Sequence, residues 1–136
     1  MTTLPEAREA IYEAFNTAWG ATSSFTFDNE KYTPPESDPW ARVSVRHLAS
    51  TQETLGQAGN RRFARFGSAF VQIFTLENTG TDIADTLATT ARNIFEGMRL
   101  TGTTVRFNDV VVREAGVDGK WYQMIVEATF EYDETK

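Results

Sequence analysis

The apolar residues of this chain repeat with a helical period in two stretches and with a period of two in the stretches that follow each, and this switching of periods constrains the fold more than any other feature. In the first helical stretch, Thr3 to Trp19, residues Leu4, Ala7, Ile11, Ala14, Phe15, Ala18 and Trp19 recur at helical spacing, while Glu6, Arg8, Glu9 and Glu13 fall mainly on the other side. Its start is signalled independently: Thr3 can cap, Pro5 suits the first turn, and Glu6 can reach back to the cap backbone. Gly20 is the expected stop. The second stretch follows a break at Asn78 to Gly80, with Thr79 or Thr81 as the expected cap and a stripe of Ile83, Leu87, Ala91, Ile94, Phe95 and Met98.

The alternating stretches predict strands. From Trp40 to Leu48, Ala41, Val43, Val45 and His47 share one face, and Trp40, Arg42, Ser44 and Arg46 share the other. Ser68 to Leu76 is a second strand, with room to begin earlier because Arg62, Ala64 and Phe66 alternate with Phe63 and Arg65. Thr104 to Glu114 and Lys120 to Tyr132 form a terminal hairpin turning around Ala115 to Gly119, where Asp118-Gly119 is a strong turn signal. Between Ala21 and Pro39 the chain reads as connection with one short extended piece, Phe25 to Phe27, before Pro34, Pro35 and Pro39. Ala49 to Gly67 is polar and irregular and reads as a long excursion between strands. The order predicts one α+β domain over residues 1–136. Its four-stranded antiparallel or mixed sheet carries two amphipathic helices on one face, with a long strand-connecting excursion.

Composition narrows function by exclusion. The chain has no cysteine, which removes disulfides, thiolate nucleophiles and cysteine metal sites and suits folding in a reducing bacterial cytoplasm. Met1 to Pro5 lacks the basic start and apolar run of a signal peptide, and no stretch nears the roughly 18 apolar residues of a membrane span, so neither export nor membrane insertion is expected. A formal net charge of −6 opposes broad phosphate-backbone contact, and direct nucleic-acid recognition is not expected.

Chemistry-bearing residues are sparse. His47 is the only histidine, so a triad or a histidine metal site would have to be built around it, and a packed strand histidine is the simpler reading. Glu127, Glu131, Asp133 and Glu134 lie near the C-terminus without metal-ligand spacing and read as a solvated sheet face and tail. Gly56 to Asn60 lacks the ending of a phosphate loop. Arg61, Arg62 and Arg65 with Phe63 and Phe66 form the one basic and aromatic cluster and read as a protein-contact arm. Trp40, Trp121 and Tyr122 are expected to pack in the core; if Trp40 faced outward with Arg42 and Arg46 it would be an interface anchor. No catalytic residue, metal or cofactor is expected.

Four segments carry a resemblance to a known family: Leu4-Pro5-Glu6-Ala7-Arg8 with Phe15-Asn16, Trp40-Ala41-Arg42-Val43-Ser44-Val45, Gly59-Asn60-Arg61-Arg62-Phe63, and Asp118-Gly119-Lys120-Trp121-Tyr122-Gln123. In this order the chain resembles the phage tail terminator-like proteins of siphophages and related prophages. The resemblance implies a non-enzymatic virion protein that forms a ring, generally of six subunits, on the head-proximal end of the tail tube. There it stops tube polymerisation and offers a surface for head joining; its partners are other copies of itself, the tube protein and a head-tail connector. A head-tail adaptor or a tube-like subunit is the alternative of the same size and character, and a small hydrolase built on His47 or on the C-terminal carboxylates is a third. The interface expected from the sequence comprises Trp40, Arg42, Arg46, Arg61, Arg62, Phe63, Arg65, Glu131 and Asp133, with the arginine arm of one subunit facing the acidic C-terminal strand of the next.

Overall fold

A computed structural model describes residues 2–136. Its elements in chain order are α1 (Leu4–Trp19), β1 (Ser24–Phe27), β2 (Trp40–Gln52), β3 (Arg62–Leu76), α2 (Asp82–Phe95), β4 (Arg106–Asp118) and β5 (Trp121–Thr135). The α+β class and the two helices follow the sequence expectation, but the sheet has five strands, in the order β1-β2-β3-β5-β4. The fifth is the Phe25 to Phe27 piece, which runs parallel to β2 and pairs Ser24 through Phe27 with Trp40 through Val43. All other neighbours are antiparallel. Chain direction therefore makes β3 and β4 parallel with β5 inserted between them, and α2 provides the crossover that a parallel pair requires.

Both helices lie on one face of the sheet, α1 over β2 and against α2, and α2 over β3, β5 and β4. The capping box at α1 is formed as expected: the Glu6 amide donates to Thr3 Oγ1 at 3.4 Å, and the Thr3 amide donates to Glu6 Oε2 at 3.1 Å. Its buried stripe is Ala7, Ile11, Phe15 and Trp19. Aromatic rings carry the core from helix to sheet: Phe15 stacks on Phe95 at 6.5 Å, Phe95 tilts against Phe107 at 4.9 Å, and Phe107 meets Phe130 edge-on at 6.2 Å. Below them the inward faces of the central strands supply Val43, Val45, Val71, Ile73, Val126 and Ala128. A short polar knot fastens the N-terminal segment to the sheet, where the Thr104 amide donates to Thr2 Oγ1 at 2.9 Å and the Asp133 amide donates to Thr104 Oγ1 at 3.0 Å.

Three expectations need correction. The stretch from Ala49 to Gly67 is largely sheet: Ala49 to Gln52 pairs with Phe66 to Phe63, and Arg62 to Gly67 pairs also with Thr135 to Phe130 of β5. Only residues 53–61 connect strands. The period of two was lost here because a bulge between His47 and Ala49 shifts the register and because Ala49 to Gln52 are exposed on both faces. The final hairpin turns later than expected, at Gly119 and Lys120, and β4 runs through Ala115 to Asp118 by way of a second irregularity between Glu114 and Gly116. In α2, Ile83 and Met98 are exposed rather than part of the stripe, and the buried set is Ala84, Leu87, Ala88, Ala91 and Phe95. Gly97, at φ 72°, stops the helix before Met98 can join that face.

Candidate assembly surfaces

The helices cover one face of the sheet and leave the other open. Because strand side chains alternate, burying Ala41, Val43 and Val45 beneath the helices turns Arg42, Ser44 and Arg46 to the open side. Register carries the same alternation across β3 to Ser68, Phe70 and Gln72 and across β5 to Ile125, Glu127 and Glu131. A shallow hollow of about 310 Å³ lies on this face, floored by Phe70 and Ile125 and rimmed by Asp28, Arg42, Arg46 and Arg113. Arg113 is already paired with Glu127, which also accepts from Ser68 Oγ at 3.0 Å. Arg42 and Arg46 have no ion-pair partner among the described residues; the Arg42 guanidinium rests 5.4 Å from the centre of the Trp40 ring.

Trp40 shares this face but offers almost no surface, being 4 % exposed. Its ring stacks on Phe74 at 4.0 Å, meets Trp121 edge-on at 6.1 Å, and is covered by Tyr32 at 5.4 Å. The proline-rich connection before β2 folds over that end of the sheet, held where Lys120 Nζ donates to the Glu36 carbonyl at 2.7 Å. The aromatic group is thus a small second core on the open face, as the packing alternative expected.

The arginine arm and the acidic strand, separated by some seventy positions in sequence, are antiparallel neighbours in space. Arg65 bonds Glu134 at 2.9 Å and lies 5.0 Å from the Phe63 ring, which also meets Lys136 at 5.6 Å. Arg62 reaches Glu53 across the loop at 2.7 Å, and the hydrogen bond it donates to Glu53 raises the guanidinium above its ordinary pKa. Arg61 exchanges main-chain hydrogen bonds with Lys136 at 2.8 and 3.3 Å. Glu131 and Asp133 are both held by Arg106, at 3.2 and 3.3 Å. One pair of the kind expected between subunits, Arg65 with Glu134, is therefore made inside one chain, and Glu131 and Asp133 are held by Arg106, a partner that sequence spacing could not identify. Only strand pairing brings Arg106 opposite Glu131.

His47 lies on the helix side against the edges of Phe130 and Tyr132, both at 5.7 Å, and neither ring nitrogen has a hydrogen-bond partner. Burial, and then the positive charges of Arg8 and Arg65, lower its pKa below the usual imidazole value. Among the described residues no group of His, Asp and Glu is arranged to hold a metal ion. No helix is long and apolar enough to cross a membrane.

No curated protein matches the chain. Solved structures do match; one of them, 20 % identical over 92 % of this chain and 93 % of its own, superposes with a TM-score of 0.57, which establishes the shared fold. The family described as phage tail terminator protein matches residues 7–130, from the first buried residue of α1 to Phe130 at the centre of the aromatic core, and so spans both helices and all five strands. With that extent of agreement, this chain belongs to the phage tail terminator protein family.

Proposed function

We propose that copies of this chain, six in number, close into a ring on the head-proximal end of a completed phage tail tube, halt its polymerisation and present the surface that a head-tail connector joins. The role is structural and involves no catalytic step. Family membership supports a place in the tail. The observation that carries the ring reading is the sheet face that the chain's own helices leave bare: a two-layer domain with one uncovered face and a second, opposite face of helices has two different surfaces to offer its neighbours. Contacts between unlike surfaces repeat head to tail and form a ring when the rotation closes. The partners are other copies of the chain, the tube protein and the connector, and the place of action is the head-proximal end of the virion tail.

Electron microscopy of tails assembled with and without the protein tests this directly. Tubes of uniform length, each bearing a ring at one end only when the protein is present, are the expected result. Tubes of the same length distribution in both samples would remove the terminator role and favour an adaptor between head and tail.

A further inference from the structure

We propose that the open sheet face, at Arg42 and Arg46, receives the outward ridge of α1 from a second copy of this chain. The inference rests on the ring reading above and names the two faces that meet. Arg42 and Arg46 stand four positions apart on one side of β2, about 13 Å along the strand. They flank the hollow floored by Phe70 and Ile125, whose lining also includes the Asp28 carboxylate, and neither forms an ion pair with a carboxylate among the described residues. On the far side of the molecule, Glu6, Glu9 and Glu13 form the ridge of α1 opposite its buried Ala7, Ile11 and Phe15. All three are exposed, and no cation pairs with them among the described residues.

The spacings correspond. At about 1.5 Å rise per residue, Glu6 and Glu13 are separated by about 10 Å along the helix, with Glu9 between them. Arginine side chains are long enough to close the difference from the 13 Å strand spacing. Two open faces meeting at the β2 arginines would set arginine against arginine, and two α1 ridges would set carboxylate against carboxylate. The complementary arrangement is sheet to helix, and since these surfaces lie on opposite sides of the domain, the contact is head to tail.

The absence of cysteine permits a clean test. A chain carrying Arg46→Cys and Glu9→Cys, assembled on tail tubes and treated with a short bismaleimide, is expected to give a ladder of covalent multimers, whereas each single variant gives none. In parallel, Arg42→Glu with Arg46→Glu is expected to weaken self-association about tenfold or more, Glu9→Arg with Glu13→Arg to do the same, and the four changes together to restore it, because reversing both sides rebuilds the pairs. Rings that form without the ladder, or reversals that do not rescue one another, overturn the proposed contact and leave the ring reading standing. Intact rings that no longer engage tubes after reversal at Arg42 and Arg46 would reassign this face to the tube protein and overturn the proposal. A wild-type protein that forms no ring, on tubes or free, removes the reading on which it rests.

Discussion

Replacing Gly67 with alanine is expected to destabilise the protein, although the backbone there is ordinary strand. Gly67 is absent from the positive-φ glycines, so the usual argument that a strand glycine wastes entropy predicts a gain of about 0.7 kcal/mol on substitution. Packing predicts the opposite sign. A Cβ at this position would run into the Arg46 carbonyl oxygen and come within 2.6 Å of Phe130 Cζ. The ring can swing, but the carbonyl belongs to the β2 ladder, where His47 pairs with Gly67 beside the bulge, and it can yield only by moving the strand. Overpacking of this kind costs about 3 kcal/mol at its upper range, which leaves a net loss of roughly 2 kcal/mol after the entropy gain. For a domain of this size that lowers Tm by about 8 °C. Urea denaturation and calorimetry of Gly67→Ala measure it, and Phe130→Leu in the same background divides it. Because leucine removes the ring atoms but leaves the carbonyl contact, the two changes together should cost about 1 kcal/mol less than their sum. A Gly67→Ala protein as stable as the parent, or more so, would refute the close approach of β2, β3 and Phe130.

Phe95→Ala empties a position of 0 % exposure between Phe15 and Phe107, and a loss of about 3–5 kcal/mol is expected in urea titrations. His47 has a lowered pKa in the folded state, so its contribution is fully present above about pH 6.5 and is lost as pH falls through the folded value. Stability measured from pH 7.5 down to about 5 should therefore fall less steeply for His47→Phe than for the parent; parallel curves would refute the assignment. Deleting residues 134–136 removes the strand partners of Arg62 and Phe63 and the main-chain partner of Arg61, so amides at 49–52 and 61–66 are expected to exchange faster while Tm changes by no more than about 3 °C.

The parts of the fold that were legible are those whose period reflects burial. Thr3, Pro5 and Glu6 announced α1, and Ala41, Val43 and Val45 announced which side of β2 lies inward. The extension from Ala49 to Gly67 was not legible, because Ala49 to Gln52 stay exposed and the Arg62 to Gly67 arm owes its strand character in part to β5, some seventy positions away. The same holds for β1, four residues long, which is a strand only because β2 lies alongside it. Exposure of Leu4 at 46 % and Met98 at 45 % marks where a helical stripe continues in sequence after its cover has ended in space.

For the candidate surface the outcome divides along the same line. Arg42 and Arg46 were placed by alternation alone, but whether a charge is available to another molecule depends on what lies across the neighbouring strands. Arg65, Glu131, Asp133 and Glu134 spend their charge on partners within the chain, with side chains only 17–25 % exposed, which removes both members of each pair from the exterior field. With Arg65 held by Glu134, Arg62 by Glu53, and Glu131 and Asp133 by Arg106, the β2 arginines remain cations of the open face without an ion pair, and the α1 ridge remains an unpaired negative feature on the opposite side. A chain of net charge −6 resists association with itself at long range, so a specific contact between copies requires local opposite charge to offset that repulsion. The sheet-to-helix pairing has that local complementarity, whereas Arg62 and Arg65 of the arm already hold Glu53 and Glu134 within the chain.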